Sequence, residues 1–269
     1  MLDIVAEIGA SHGQDMDKAK ALVDGAILAG ADYIKLQTYT PDTISFKGSG
    51  TCPSGPWKGR DLYDIYKAAH MPRKMQYNLI RWMEARGVDW FSTPFSPDDV
   101  NMLESMHCPL YKISSFDVHN EPLIEAVRAT GSPVIWSDGM DRKNVPYTND
   151  DIVLRCVSQY PAEPEQYGLS YPPPCPNWGI SDHTDGAILG SVAISMGAMM
   201  IEKHIKLDDD TSTEDSQFAT PLSQFSMDVA LWRRVQAIAH SSENPVSELS
   251  GIIPRPVEMG GKTLWKRYV

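Results

Sequence analysis

Eight short apolar runs, six of them followed by stretches of helical periodicity, succeed one another along this chain, and that alternation constrains its fold more than any other feature. Residues 4–9, 33–38, 89–93, 110–114, 134–137, 152–157, 178–181 and 199–204 read as strands. Helical patterns cover residues 15–29, 72–86, 97–106, 121–130, 186–196 and 221–240. The punctuation agrees: Asp15 or Asp17 stands at the start of the first helix and Gly30 just past its end, while Pro72 opens the second and Gly87 closes it. Strands joined through helices make a parallel sheet, and eight is the number that closes a (β/α)8 barrel. A length of 269 residues suits one such barrel as a single domain over residues 1–269.

Two connections are too poor in helical pattern to match the rest. Ser137 is followed by Asp-Gly-Met-Asp-Arg-Lys-Asn-Val-Pro, and Pro161, Pro164, Pro172, Pro173, Pro174 and Pro176 forbid a long helix before the seventh strand. The barrel is therefore expected to have reduced fifth and sixth helices. Its fifth and sixth strands would then bare an outer face carrying Val134, Trp136, Val153 and Arg155. The proline-rich residues 160–176 or a second subunit must cover that face, and a homodimer is the expectation.

Composition narrows the class of function. A net charge of −11 argues against nucleic acid or an anionic membrane as partner. Asp3 and Glu7 interrupt the first ten residues, so a signal peptide is not expected. The longest uncharged apolar run, residues 186–201, is short for a membrane span and broken by Gly190 and Gly197. Cys52, Cys108, Cys156 and Cys175 are widely spaced without C-x-x-C, which fits reduced thiols and a cytoplasmic location.

Barrel chemistry sits at the C-terminal ends of the strands, and polar residues fall at almost every one. Alternation directs Lys35, Gln37 and Lys112 into the barrel, with Ile34 and Leu36 facing outward, and puts Glu202 and His204 on one face with Lys203 on the other. Two inward lysines beside the hydroxyls of Thr93, Ser115 and Ser137 suggest a phosphate or carboxylate site, because buried ammonium groups need compensating anions. His183 and His204 close adjacent strands, with Glu7 on the adjoining first strand, which suggests a divalent metal completed by water or substrate oxygens. Asp138 and Asp182 read equally well as supporting partners or turn formers.

Ala6-Glu7-Ile8-Gly9 with His12, Lys35-Leu36-Gln37-Thr38, Ser92-Thr93-Pro94-Phe95, Tyr111-Lys112-Ile113 with Ser115, Ser181-Asp182-His183-Thr184 and Glu202-Lys203-His204 resemble, in order, the motifs of the sialic acid synthases. These are phosphoenolpyruvate-dependent synthases of N-acetylneuraminate and related nonulosonic acids. The resemblance implies a (β/α)8 fold. It implies phosphoenolpyruvate held by Lys35, Thr93, Lys112, Ser115 and Ser137, and a manganese or magnesium ion on His183 and His204. By the same matching Gln37, Asp117, Tyr160 and Asp215 would face the sugar, an N-acetylmannosamine-type aldehyde. Glu7 is the candidate for orienting the water that attacks C2 or moving its proton.

The departures from the family pattern are local. Ser11-His12-Gly13-Gln14 stands where relatives carry Asn-His-Asn-Gly, and Ser137-Asp138-Gly139-Met140 where they carry Ser-Thr-Gly-Met. Relatives continue into a small antifreeze-like domain that supplies an arginine to the sugar across a dimer, and this chain is expected to lack it. The stretch from Thr51 to Arg60 is either a substitute for that contribution or an ordinary exposed loop. Three functions are weighed: a synthase of this kind, a metal-dependent barrel enzyme using phosphoenolpyruvate with another aldehyde, and a non-catalytic sugar-binding relative.

Overall fold

The computed structural model describes residues 2–169 and 175–239, together with the backbone of a hairpin formed by Pro256–Met259 and Lys262–Trp265. Its centre is a closed parallel barrel. The strands are β1 (Asp3–Glu7), β2 (Tyr33–Thr38), β3 (Trp90–Pro94), β4 (Tyr111–Ile113), β5 (Val134–Ser137), β6 (Ile152–Cys156), β7 (Trp178–Asp182) and β8 (Met200–Lys206). They pair in chain order, and β1 closes on β8 with Glu7 opposite His204. A two-residue strand, Thr220–Pro221, extends the end of β8.

Helices α1 (Met16–Ala29), α2 (Pro41–Ile44), α3 (Leu62–Ala69), α4 (Arg73–Glu84), α5 (Pro97–Glu104), α6 (Glu121–Ala129), α7 (Ile188–Ser195) and α8 (Leu222–Ala239) surround it. Local chemistry sets their ends. Asp15 caps α1 by accepting from the backbone N–H of Asp17 and Lys18, and Gly30 ends it in the left-handed region at φ 93°. The short helices α2 and α3 lie in a stretch that sequence periodicity left without structure. Asp61 caps α3 in the same way as Asp15 caps α1. The last helix reads in sequence to His240, which lies outside the described residues.

Strand alternation sorts the core into two layers. Val5, Phe91, Ile135, Leu154 and Met200 fill the barrel interior at one level. Ile34, Leu36, Ile113, Trp136 and Ile201 point outward into the larger layer beneath the helices.

No helix joins β5 to β6, and only a 3-10 turn, Pro164–Tyr167, lies between β6 and β7 among the described residues. The outer faces of β5 and β6 are nevertheless buried, and by this chain's own side chains. The Arg128 guanidinium lies 5.2 Å from the centroid of the Trp136 ring and is held there by two hydrogen bonds to Asp151. Arg155 points outward yet is buried, donating to Asp138 at 2.8 Å and to the carbonyls of Tyr167 and Gly168. Val134, Trp136 and Val153 are at most 2 % exposed. The open apolar face on which a second subunit was expected is therefore absent. Part of the proline-rich segment covers it, although residues 170–174 of that segment lie outside the described residues.

Among the described residues no helix is long and apolar enough to cross a membrane. All four cysteines are free thiols, and burial pushes those of Cys108 and Cys156 up to about 12.

Candidate active site

Above the apolar layer the barrel interior turns ionic. Glu7 at the end of β1 accepts from the Lys35 ammonium on β2 through Oε2, and from Gln37 and the Gly9 backbone through Oε1 at 3.0 and 2.9 Å. Lys112 on β4 donates to Glu202 Oε1 on β8 at 2.5 Å, Ser181 donates to the same oxygen at 3.0 Å, and the Lys35 nitrogen lies 3.9 Å from it. Two ammonium groups thus face two carboxylates, all four nearly inaccessible to solvent. The lysines point inward as alternation requires, but their compensating anions are the protein's own. A bound anion is not needed to balance their charge.

The electrostatics follow from this packing. Burial lowers the Lys35 ammonium, but Glu202 and Glu7 outweigh it and raise the group overall. Burial prevails at Lys112, with repulsion from Lys35 adding to it, so that group is lowered despite Glu202. Burial alone would raise Glu202, yet the two lysines hold it down at about 2. With two ammonium neighbours, Glu202 remains the charged anchor of the group.

Oxygen atoms without partners mark where this layer is incomplete. Thr93 Oγ1 and Glu202 Oε2 are buried and bonded to nothing. Thr93 sits level with Gln37 in the β2–β3 register. On the far side of the barrel the Ser115 and Ser158 hydroxyls share a 2.7 Å hydrogen bond. A β-carbon on Gly139 would lie 2.5 Å from Ser158 Oγ, so only glycine leaves that hydroxyl pair open. Ser137 is buried at the end of β5, next to this corner.

Two histidines close the opposite side. His183 Nδ1 lies 2.6 Å from the Val157 carbonyl, which can only accept, so Nδ1 carries the proton and Nε2 keeps its lone pair. Its neighbour Ser181 already donates to Glu202, which leaves that lone pair available. Burial, with the nearby His204, lowers His183 to about 3 and keeps it neutral. His204 Nδ1 is backed by Asp215 Oδ2 at 3.2 Å, and that oxygen also accepts from the Ala10 backbone at 2.8 Å. The Gly9 turn makes this possible, since a β-carbon there would lie 2.1 Å from Asp215 Oδ2. Each imidazole is thus oriented by an acceptor behind Nδ1, as in metal-ligating histidines. The rings stand 5.9 Å apart at 69°. Among the described residues no third His, Cys, Asp or Glu joins them in a ready-made metal cluster. The donor set fits a divalent ion held by two imidazoles, with water or substrate oxygens completing it.

The structure thus brings together Glu7, Lys35, Gln37, Lys112, Tyr160, His183, His204 and Asp215. The Tyr160 ring stacks on His183 at 4.1 Å, edge-on to His204. Asp215 turns to His204 as its hydrogen-bond partner. Asp117 stands apart, its carboxylate accepting from Ser114 and Asn120 within its own turn. Glu202, Ser158 and Ser181 join the site without having been singled out. Glu202 had a sequence signal in its place on the inward face with His204, and Ser181 in its motif with His183, while Ser158 had none.

The chain is similar to known proteins over most of its length. The NeuB family model matches residues 22–244. Pseudaminic acid synthase of Helicobacter pylori is 35 % identical over 261 residues, covering 87 % of this chain and 75 % of that protein. Pseudaminic acid synthase of Campylobacter jejuni is 31 % identical over 252 residues, covering 87 % and 74 %. Among solved structures, N-acetylneuraminic acid synthetase from Leptospira borgpetersenii in complex with citrate superposes with a TM-score of 0.75 at 26 % identity, covering 93 % of this chain and 90 % of that one.

Proposed function

This chain belongs to the NeuB family, whose members here are sugar acid synthases, and from that premise we propose that it condenses phosphoenolpyruvate with the open aldehyde of an N-acetylmannosamine-type sugar. The product is a nonulosonic (2-keto-3-deoxy) acid, and inorganic phosphate is released. The observation that carries the proposal is the placement, at one barrel mouth, of two buried lysines with the unpartnered Thr93 hydroxyl beside two histidines that both keep a free Nε2.

In this reading C3 of phosphoenolpyruvate forms a bond to the aldehyde carbon, whose oxygen takes up a proton. Water adds at C2 and loses one proton, and the bond from C2 to the phosphate oxygen then breaks as the remaining hydroxyl proton passes to the departing phosphate, leaving the ketone. His183 and His204 would hold a manganese or magnesium ion, which supplies Lewis-acid polarisation of the aldehyde. Lys35, Lys112 and Thr93, with the hydroxyls of Ser115 and Ser137, hold the phosphate and carboxylate of phosphoenolpyruvate. Because Glu7 and Glu202 fix the lysines beforehand, the donors need no reorganisation when substrate arrives. Glu7 orients the attacking water or takes its proton. Both its oxygens already accept hydrogen bonds, so it acts by exchanging one of them. Gln37, Tyr160 and Asp215 are assigned to the sugar side, Asp215 through its hold on His204, whereas Asp117, engaged within its own turn, is not.

The test is phosphate release from phosphoenolpyruvate with a panel of aldoses and N-acylhexosamines, with the product mass recorded. Phosphate released together with a product of sugar plus pyruvate mass supports the proposal. Phosphate released without such a product refutes it in favour of hydrolysis.

A further inference from the structure

Residues 51–61, between α2 and α3, form a closed loop rather than a loose tip. Thr51 bridges to Asp61, the Cys52 N–H donates to the Arg60 carbonyl at 2.9 Å, and the Gly59 N–H returns to the Cys52 carbonyl at 2.8 Å. Gly55 and Gly59 take positive φ on either side of Trp57, so the chain bends to present that indole. The Trp57 ring meets Phe218 at 5.6 Å and Tyr160 at 6.4 Å, and Tyr160 lies flat on His183. Phe218 covers His204 at 5.3 Å. The two imidazoles are therefore roofed by aromatic rings, with Trp57 the outermost.

One carboxylate fixes this roof. Glu214 accepts from Trp57 Nε1 at 3.1 Å and from both terminal nitrogens of Arg60, at 2.6 and 2.8 Å. Arg60 is 46 % exposed, and an exposed pair contributes little to overall stability, so the value of three donors on one carboxylate lies in geometry. The next residue, Asp215, holds His204. Adjacent carboxylates thus face opposite ways, one to the histidine and one to the indole.

We infer that Trp57 forms the outer wall of the acceptor subsite, and that Glu214, clamped by Arg60, is the residue that positions it. The inference rests on the synthase reading and adds a specificity-determining residue to it. Trp57 connects to the imidazoles through Tyr160 and Phe218, the rings packed against His183 and His204. Aromatic faces pack well against the C–H face of a sugar and the methyl of an N-acyl group, and they offer an unacylated amine much less. The substrate class selected is an N-acylated amino sugar. The loop from Thr51 to Arg60 is thus more than an exposed connection: its tryptophan joins the acceptor side, while its arginine acts on Glu214.

The experiment is steady-state kinetics on the full chain, varying phosphoenolpyruvate and the acceptor separately, with N-acylhexosamines and the matching free amines. Trp57→Ala should raise the acceptor KM about tenfold for the acylated sugars, leave the KM for phosphoenolpyruvate within about twofold, and shrink the preference for acyl over amine. Trp57→Phe should restore most of the loss. Glu214→Gln should raise the acceptor KM by a smaller factor in the same selective way, which keeps the test alive if the alanine variant does not fold. KM values that rise together for both substrates, or an acceptor KM unchanged in all variants, overturn the role of Trp57 while leaving the synthase reading in place. No turnover by the unaltered enzyme with any sugar overturns that reading and the inference together.

Discussion

Glu202→Gln isolates the charge balance inside the barrel. In the parent, Lys35 and Lys112 face Glu7 and Glu202, and Glu202 lies between both lysines at 3.9 and 2.5 Å. The amide keeps the shape and one acceptor but removes a negative charge, leaving one uncompensated positive charge in a site closed to water. Breaking a buried pair costs about 3–5 kcal/mol, and the retained hydrogen bond puts this change near the lower end. In a chain of this size that lowers the melting temperature by roughly 6–12 °C. The same excess charge should favour an anion, and phosphate at about a hundred times its Kd would recover about 2.7 kcal/mol. Thermal unfolding followed by circular dichroism, with and without phosphate and with sodium chloride matching the ionic strength, reads both effects. The variant should melt well below the parent in chloride and gain more than the parent from phosphate. A variant melting within about 2 °C of the parent without phosphate, or phosphate shifts equal in both proteins, would refute the assignment of Glu202 as the lysines' counter-ion.

Replacing His183 or His204 with alanine should abolish turnover and bound divalent metal while the circular dichroism spectrum is retained; full activity of the parent in excess chelator would sink the metal assignment. Lys35→Ala and Lys112→Ala should each weaken phosphoenolpyruvate binding by about 1.5–3 kcal/mol in calorimetry, the worth of one charge-assisted hydrogen bond, and unchanged affinity in both would remove the anion site. Burial lowers His12 from the ordinary 6.5 to about 4, so the unfolded chain takes up its proton at higher pH than the folded one. Stability from this group is therefore full above 6.5 and falls as pH drops toward 4, by about 1.4 kcal/mol per unit. Urea unfolding across that window should show a shallower slope for His12→Gln, and an unchanged slope contradicts the buried neutral histidine.

The barrel was legible because its signals are local. Residues 33–38 and 134–137 carry strand patterns whose ends match β2 and β5, and Asp15 with Gly30 announce the ends of α1. The helix α3 escaped because it is only eight residues long and follows the Gly/Pro-rich stretch 48–59, so the stripe of Leu62, Ile65 and Ala69 behind the Asp61 cap spans barely two turns. The cover over β5 and β6 was hidden for a related reason, since an outward arginine such as Arg155 is buried only when Asp138 and two carbonyls meet it in the fold.

The site divides along the same line. The inward direction of Lys35 and Lys112 follows from the two-residue period of a strand, and so does the shared face of Glu202 and His204. The partner of each charge does not follow, because Lys112 and Glu202 are 90 residues apart and meet only across the closed barrel. Closure also decides that Glu7 lies opposite His204, a register set by β1 pairing with β8 at the two ends of the sheet. Hence the inward lysines pointed correctly to an ionic site, while the inference that they await an anion missed the two glutamates already facing them. The same limit hid Glu214, whose carboxylate gains a role only when loops more than 150 residues apart come together over the histidines. Chemistry that depends on direction is written locally, whereas chemistry that depends on a partner is written in the fold.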